Sequence, residues 1–407
     1  HLRATGDAAL LDQRVPFLAG AAIPDGAEDV YDTPSPCQEV ATVYEHAARS
    51  IDHSLAVGAH GLPLMGSGDW NDGMNRVGSG GQGESVWLGW FLCTVVAGFA
   101  PLARGRGEVE RANRWEAAAT GWRQALNTTA WDGAWFTRAY FDNGQPLGSQ
   151  HNTQARIDLI AQAWSVLSQA GEPALQVAAM DSARQLLIDV PAGLVRLLDP
   201  PLTDAQPSAG YIQAYPPGVR ENGGQYSHAG VWALMALAEL ARGGPASAQD
   251  AAGDEVYRVL SLLSPAHRSE HLVWGAAYGL EPYVMAGDIC SQPPYVGRGG
   301  WSWYTGAAAW MHRAVIESLF GLQLQAHQLS LRPCLPSHWP RAELTLTREG
   351  RRLQLIVLRA DAATALAATA MQGAHLLLPG QVLDWPHLDR HACFVLPLLE
   401  ARAAQPA

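Results

Sequence analysis

An uncharged, apolar stretch from Ser85 to Ala103 constrains the fold of this chain more than any other segment. It is about as long as a helix that spans a bilayer. Gly89, Gly98 and Pro101 interrupt it, however, and no basic residue flanks its N-terminal side. A helix that is apolar on every side can equally form the inner wall of a large helical protein. We therefore interpret the stretch as a buried helix, with a membrane span as the alternative.

Helical hydrophobic spacing recurs on both sides of this stretch as far as about residue 320. Almost wholly apolar segments alternate with segments that have one polar face, and long Pro- and Gly-rich loops separate them. This alternation predicts an inner and an outer layer of helices, as in a barrel of helical hairpins. The predicted helices cover residues 37–58, 84–103, 109–126, 153–169, 172–189, 227–242, 254–264, 266–278 and 306–320.

The hydrophobic period changes at about residue 322. Short alternating runs such as A-E-L-T-L-T and L-Q-L-I-V-L follow, broken by Pro and Gly, and they are typical of strands. We therefore predict a mainly α protein with two domains. Residues 1–321 would form the helical domain, and residues 322–407 a small β-sandwich-like domain.

Composition narrows the classes of function. The formal net charge of −11 disfavours nucleic acid and anionic membrane surfaces as partners. Every basic residue is Arg, which excludes Lys Schiff-base chemistry and the P-loop lysine. The 5 cysteines lie far apart, so we expect reduced thiols in a cytoplasmic protein. The histidines show no metal-ligand spacing, and we predict no metal site.

One loop carries the strongest chemical signal. Residues 61–75 read G-L-P-L-M-G-S-G-D-W-N-D-G-M-N, which is too rich in Gly and Pro for a helix or a central strand. Asp69 and Asp72 flank Trp70 on this loop. A sugar ring stacks on an indole while a carboxylic acid protonates the bond to be cut. The alternative is a structural Asx-turn loop.

Two further Gly-rich loops lead into predicted helices and carry groups suited to an anion. The first is P-P-G-V-R-E-N-G-G-Q-Y-S-H at 216–228, and the second is G-R-G-G-W-S-W-Y-T-G at 297–306. Backbone N–H groups at a helix start can bind an anion together with a nearby Arg or His. The alternatives are helix capping in the first loop and tight Trp packing in the second. Glu281, in E-P-Y, is a weaker candidate by itself.

Together these motifs resemble the cellobiose and chitobiose phosphorylase family, and most closely the phosphorylase-like C-terminal region of cyclic β-1,2-glucan synthases. The similar segments run in order from about residue 55 to 320. They are G-L-P-L-M-G-S-G-D-W-N-D-G-M-N-R-V-G, G-E-S-V-W-L-G-W-F-L, R-I-D-L-I-A-Q-A-W, G-Y-I-Q-A-Y-P-P-G-V-R-E-N-G-G-Q-Y-S-H-A, E-P-Y-V and V-G-R-G-G-W-S-W-Y-T-G.

The resemblance implies an (α/α)6 barrel followed by a small β domain. It also implies inverting phosphorolysis of a β-glucosidic bond, with release of α-glucose 1-phosphate. The matching positions make Asp72 the general acid. They place Trp70 and Glu221 at sugar-contacting positions, and His228, Thr305 and Gly306 at phosphate-contacting positions. We add four further substrate-binding candidates, which are Asp69, Asn222, Glu281 and Tyr304.

The chemistry of the residues agrees with this implication. An inverting hydrolase needs two carboxyl groups, whereas a phosphorylase needs only the acid because phosphate is itself the nucleophile. We expect inorganic phosphate as co-substrate, no cofactor, and burial of Asp72 that favours its protonated form. One alternative is a glucoamylase-type inverting hydrolase with Glu221 or Glu281 as base. The other is a non-catalytic fragment that binds glucan or senses its chain length.

The chain starts at His1 inside what resembles the end of a helix. The resemblance implies that the first barrel helices, with further sugar- and phosphate-gripping residues, precede it. We therefore expect the barrel to be incomplete at its N-terminus. We also expect the upstream remainder of a membrane-associated glucan synthase as a partner, which would place the chain at the cytoplasmic face of the inner membrane.

Overall fold

The computed structural model describes residues 1–24, 27, 30–245, 248–303 and 305–398, with the backbone only at 362 and 365. About 41% of the chain is helix and 21% is strand. The helices, numbered α1 to α12, are Leu2–Thr5, Val43–His53, Val86–Gly105, Val109–Thr128, Leu159–Leu167, Pro173–Leu187, Ser227–Gly243, Gln249–Leu263, Pro265–Glu270, Leu272–Tyr278, Ala307–Arg313 and Ala362–Met371. A π-helical turn, Ala314–Leu319, continues α11.

The strands are mostly short and join into small sheets. Numbered β1 to β19, they are Arg14–Ala19, Ser35–Thr42, Glu84–Ser85, Ala139–Tyr140, Pro146–Leu147, Ile157–Asp158, Ile188–Asp189, Leu194–Val195, Leu198–Asp199, Gln225–Tyr226, Ala286–Ile289, Gly299–Ser302, Leu322–Gln325, Gln328–Leu331, Arg341–Arg348, Arg351–Arg359, His375–Leu376, Leu383–Asp384 and His391–Leu398. The sheets have the strand orders β1-β2, β3-β4-β5, β6-β9, β7-β8, β10-β11-β12, β13-β14-β18 and β15-β16-β19-β17.

The chain forms two compact units. One comprises residues 8–233 and 265–305, and the other comprises residues 1–7, 234–264 and 306–407. The strands predicted after residue 322 belong to the second unit, together with α8 and α11. The domain boundary between residues 321 and 322 stays a prediction.

In the first unit, apolar helices start directly after two-residue strands. β3 leads into α3, β6 into α5 and β10 into α7. Ser85 and Asp158 cap the first two of these helices by accepting hydrogen bonds from backbone N–H groups. The helix starts meet through Trp87, Trp164 and Trp232, whose rings lie 5.2–6.2 Å apart. The candidate site lies beside this aromatic contact.

The apolar segment that opened the sequence analysis forms α3. It is long and apolar enough to cross a membrane, with a mean hydropathy of 1.8, and half of that window is buried. Its buried side includes Trp87 and Trp90, and it packs against α4 and α5. The buried residues run from Val86 to Ala103, so one side of α3 agrees with the predicted inner helix along its length.

Several predicted helix boundaries are wrong, and one helix was not predicted. Residues 37–42 belong to strand β2, because they pair with β1, and Thr42 then caps α2. The helix predicted over 266–278 breaks between α9 and α10, where the side chain of His271 caps the second helix. The Ala-rich segment of α12 was not predicted as a helix, although Asp361 caps it.

Candidate active site

The acid loop is residues 66–77, between the bridge at Leu64 and strand β3. Asp72 starts a single 3₁₀ turn, Asp72–Met74, which Asn71 caps by accepting from the Gly73 N–H at 3.2 Å. Met74 and Val77 anchor the loop in a buried apolar cluster. Asp72 itself is exposed, so the predicted burial of this side chain is wrong.

Asp69 faces the interior instead. Its two oxygens accept from the Arg138 guanidinium at 2.7 and 2.6 Å, and one also accepts from the Ser85 hydroxyl at 2.5 Å. Both side chains of the Asp69–Arg138 ion pair are 0% exposed. The predicted sugar contact of Asp69 is therefore not supported, because Arg138 and Ser85 occupy its oxygens. Asp69 instead holds the acid loop against strands β3 and β4.

The same guanidinium makes a second buried ion pair. Arg138 Nε lies 3.4 Å from Asp158 Oδ2. Burial opposes the charge on Arg138, but Asp69 and Asp158 outweigh it and raise the pKa of the guanidinium. Burial raises the pKa of Asp158 to about 6, against the lowering effect of Arg138. The cluster therefore stabilises a charged Arg in the interior.

Tyr211 is the direct partner of the acid. Burial, and then a hydrogen bond from its phenol to the Asp72 carboxylate, raise the pKa of Tyr211. Tyr211 starts a 3₁₀ turn, Tyr211–Ala214, that is bound to the acid loop. Its N–H donates to Asn75 Oδ1 at 3.0 Å, and the Arg76 N–H donates to the Ala209 carbonyl at 3.2 Å. The acid and its partner thus belong to one hydrogen-bonded segment.

Trp70 links the acid loop to the start of α7. Its indole N–H donates to Nδ1 of His228 over a long 3.4 Å, and its ring lies 5.4 Å from that of Trp232. Burial lowers the pKa of His228 to about 4, so the imidazole is neutral at physiological pH. A neutral ring that accepts at Nδ1 carries its proton on Nε2, and Nε2 is therefore a donor.

Glu221 is a second acid close to the first. Its side chain is buried, and burial is the main cause that raises its pKa. The Tyr226 phenol hydrogen bonds to it, and Arg220 Nε lies 3.5 Å away. The charge of Asp72 contributes to the raised pKa of Glu221, which indicates that the two carboxyl groups share one site.

Two other predicted substrate contacts, Asn222 and Glu281, have different surroundings. Asn222 is fully buried, and its side chain is bound to the backbone of Leu202 and Tyr215. A sugar contact by Asn222 is therefore not supported. Glu281 is exposed in a turn that ends at Val284.

The predicted phosphate contacts beyond His228 lie near the start of α11. Thr305 is half-buried, and Gly306 is exposed and caps that helix with φ −80°. Tyr304 lies outside the residues that the structure describes. Within the described ranges, no group of three or more His, Cys, Asp or Glu side chains gathers as a candidate metal site.

Sequence reasoning did not single out Tyr211 or Arg138. Arg138 did carry a signal, because it is one charged residue in the apolar run W-F-T-R-A-Y-F. A buried charge needs a partner, so this position predicts an ion pair. Tyr211 carried no comparable local signal, since its contact with Asp72 joins segments far apart in the chain.

An exposed acid beside an indole and a neutral imidazole, at the starts of buried helices, is the chemistry of a carbohydrate-active catalytic domain. The chain belongs to the glycosyl hydrolase 94 superfamily, whose catalytic-domain model matches residues 4–321.

Several curated proteins are similar to the chain. It is 44% identical to the cyclic beta-(1,2)-glucan synthase NdvB of Rhizobium meliloti (strain 1021) over 83% of the chain and 12% of that protein. It is 32% identical to the solabiose phosphorylase of Paenibacillus borealis over 86% of the chain and 42% of that enzyme. It is 28% identical to the N,N'-diacetylchitobiose phosphorylase of Vibrio proteolyticus over 89% and 41%, respectively. The chain thus spans less than half of each of these relatives.

Proposed function

We propose that this chain carries the acid-bearing part of an inverting glycoside phosphorylase. Its substrate would be β-1,2-glucan or a related β-gluco-oligosaccharide, and its product α-glucose 1-phosphate. Family membership and the phosphorylases among its relatives support a glycoside-processing enzyme. The similarity to a cyclic beta-(1,2)-glucan synthase supports a glucan as substrate.

Phosphorolysis needs one acid and one bound nucleophile. A phosphate oxygen attacks the anomeric carbon of the terminal glucose from the face opposite to the glycosidic oxygen. The new C–O bond forms as the glycosidic C–O bond breaks, and Asp72 gives its proton to the leaving oxygen. Attack from the opposite face inverts the anomeric centre, so the β-linked glucose leaves as the α-phosphate. No cofactor or metal is required for this sequence of bond changes.

The contact between the Trp70 indole N–H and His228 Nδ1 is the observation that carries the proposal. A neutral imidazole with its proton on Nε2 donates to a phosphate oxygen without acting as a base toward water. Trp70 fixes this tautomer from within the acid loop. We propose that Thr305 also binds phosphate, as the family resemblance implies.

The direct test is glucose 1-phosphate formation from β-1,2-gluco-oligosaccharides and inorganic phosphate. Asp72→Asn should reduce this activity by about 100-fold or more, because the leaving oxygen then receives no proton. Asp181→Asn, which changes a half-exposed acid on α6, is the matched control and should leave the activity unchanged. Unfolding by urea should show the same stability for Asp72→Asn and for the unmodified chain within about 0.5 kcal/mol.

A substrate with a good leaving group sharpens this test. A dinitrophenolate needs no proton to leave, so Asp72→Asn should lose far less activity on 2,4-dinitrophenyl β-glucoside than on the oligosaccharide. Equal losses on both substrates would contradict the role of Asp72 as general acid. Near-normal activity of the variant on the oligosaccharide would contradict it as well.

Glu221 supports a second candidate function, a glucoamylase-type inverting hydrolase. The charge of Asp72 contributes to the raised pKa of Glu221, and Glu221 could activate water as the base. Release of glucose without phosphate, lost in Glu221→Gln, would establish the hydrolase. Glucan binding without any product would instead identify a binding or chain-length-sensing module.

A further inference from the structure

A side cavity of about 380 Å³ opens beside Arg220. Its lining includes Arg220, Asp288, Tyr295, Arg298, Gly300 and Trp301. Its size lies within the range of small-molecule sites, about 300–1,000 Å³. Rings that offer an apolar face, together with planar carboxylate and guanidinium groups, are suited to a sugar, whose ring stacks while its hydroxyls form hydrogen bonds.

A continuous row of side chains connects the acid to this cavity. Tyr211 hydrogen bonds to Asp72, and its ring lies 6.1 Å from that of Tyr215. The Arg220 guanidinium lies 4.8 Å from the ring centre of Tyr215 and 4.7 Å from that of Trp301. Tyr211, Tyr215, Arg220 and Trp301 therefore form an acid-to-cavity row that is longer than one sugar ring.

The backbone holds this row in position. Trp301 has φ +49° and Arg220 has φ +53°, which is the left-handed region that bulky residues rarely adopt. The Arg220 N–H donates to Asp288 Oδ2 at 2.9 Å. A Cβ on Gly300 would lie 2.7 Å from Asp288 Oδ1, so a larger residue there would displace the Asp288 side chain. The strained backbone presents Trp301 with 52% of its surface exposed.

The charges around the cavity favour a neutral occupant. Glu221 lies 3.5 Å from Arg220, and Asp288 accepts from the backbone of the same residue. Both carboxyl groups would repel an anion that approached this guanidinium. A glucose residue has no charge, and it offers an apolar face to Trp301 and hydroxyls to Asp288 and Arg298.

We propose that the side cavity binds a glucose residue of the leaving glucan chain, beyond the residue whose oxygen Asp72 protonates. The inference rests on the proposed function and deepens it. In this proposal the leaving glucan chain lies along the acid-to-cavity row, from Asp72 to Trp301. The chain therefore acts on oligosaccharides in preference to the disaccharide.

Substrate length provides the test. Trp301→Ala should raise the KM for a β-1,2-linked tetrasaccharide by about three- to tenfold, the contribution of one ring contact. The KM for sophorose, the β-1,2-linked disaccharide, should change by less than about twofold. Trp301→Phe keeps a ring and should restore most of the preference for the longer substrate.

Trp303→Ala is the matched control, because Trp303 is 73% exposed and its ring contacts Tyr283 rather than the cavity. It should leave the ratio of the two KM values unchanged. Equal effects of Trp301→Ala on both substrates, or no effect on either, would overturn the proposal.

Binding separates this inference from the proposed function. If the unmodified chain forms no glucose 1-phosphate from any substrate, the proposed function fails. Calorimetric titration with the tetrasaccharide still tests the cavity. Weaker binding by Trp301→Ala, but not by Trp303→Ala, would support the cavity as a glucan site, and equal binding by all three proteins would overturn it.

Discussion

His228 shows how burial sets the chemistry of one residue. Its pKa is lowered to about 4 by burial, whereas an ordinary His titrates near 6.5. The unfolded chain therefore takes up this proton at a higher pH than the folded chain. It follows that the contribution of His228 to stability is complete above about pH 6.5 and is lost as the pH falls toward 4.

The expected size of this loss is up to about 3 kcal/mol in the free energy of unfolding. His228→Asn keeps an acceptor for Trp70 but does not titrate. Urea unfolding at pH 7 and pH 4.5 should therefore show a smaller decline for this variant than for the unmodified chain. His387→Asn changes a side chain that is 83% exposed and should show the full decline. Identical declines in all three proteins would contradict a buried, neutral His228.

The polar residues of the Gly-rich loops show what the sequence could and could not predict at this scale. The structure brings Trp70 into contact with His228, and the charge of Asp72 acts on Glu221, while the roles of these four residues stay predictions. Asp69 has the same local surroundings, but its partner is Arg138, which is 69 residues away. Local sequence does not distinguish a carboxylate that faces a ligand from one that binds a distant Arg.

At the scale of elements, the acid loop and the turn at Tyr211 act as one piece. Gly210, at φ +124°, lies where this turn meets the loop. A Cβ at this position would overlap the side-chain oxygen of Asn75 and lie 2.8 Å from the Gly73 carbonyl oxygen. The close approach requires glycine, and any larger residue must displace the segment that carries Asp72.

Gly210→Ala should therefore lower kcat by about tenfold or more, because a small displacement of the acid is costly to the reaction. The free energy of unfolding should fall by about 2–4 kcal/mol from strain and overlap. Gly66→Ala is the matched control in the same loop, since Gly66 has φ +61° but open space around it. It should cost only about 1–2 kcal/mol and spare kcat. An equal loss of kcat in both variants would show that the overlap is unimportant.

Helices were the easiest elements to predict, and their boundaries were the hardest. α4, α6 and α7 have ends within a few residues of those predicted, since their periodicity is long and regular. The start of the helix predicted at 37 is wrong because residues 37–42 pair with β1, a partner that no local pattern reveals. The Ala-rich sequence of α12 lies among strand patterns and was missed for lack of amphipathic spacing.

At the scale of the whole molecule, the chain is much shorter than the relatives that it matches. The alignment with the glucan synthase includes 83% of this chain but only 12% of that protein. The alignments with the two phosphorylases include 41–42% of those enzymes. We propose that the remaining sugar- and phosphate-binding groups are supplied by sequence that corresponds to the upstream part of those relatives.

A longer version that includes such upstream sequence should form glucose 1-phosphate at least about tenfold faster than this chain at equal concentration, because a missing charged contact to phosphate typically costs that much. The measurement is initial rate with β-1,2-gluco-oligosaccharide and phosphate. The longer version with Asp72→Asn controls for activity that arises upstream and should be inactive. Equal rates for the two lengths would mean that the residues present here form a sufficient site.

The burial of Arg138 restricts which replacements related sequences can carry. Its guanidinium joins Asp69 and Asp158, which belong to different elements, in the buried interior. Loss of Arg138 leaves both carboxyl groups without a counter-charge in the interior, at a cost of about 3–5 kcal/mol. Natural selection should therefore remove replacements of Arg138 that leave the two acids in place. Across related sequences the three positions should covary, so that a relative without Arg at 138 also lacks the acid at 69.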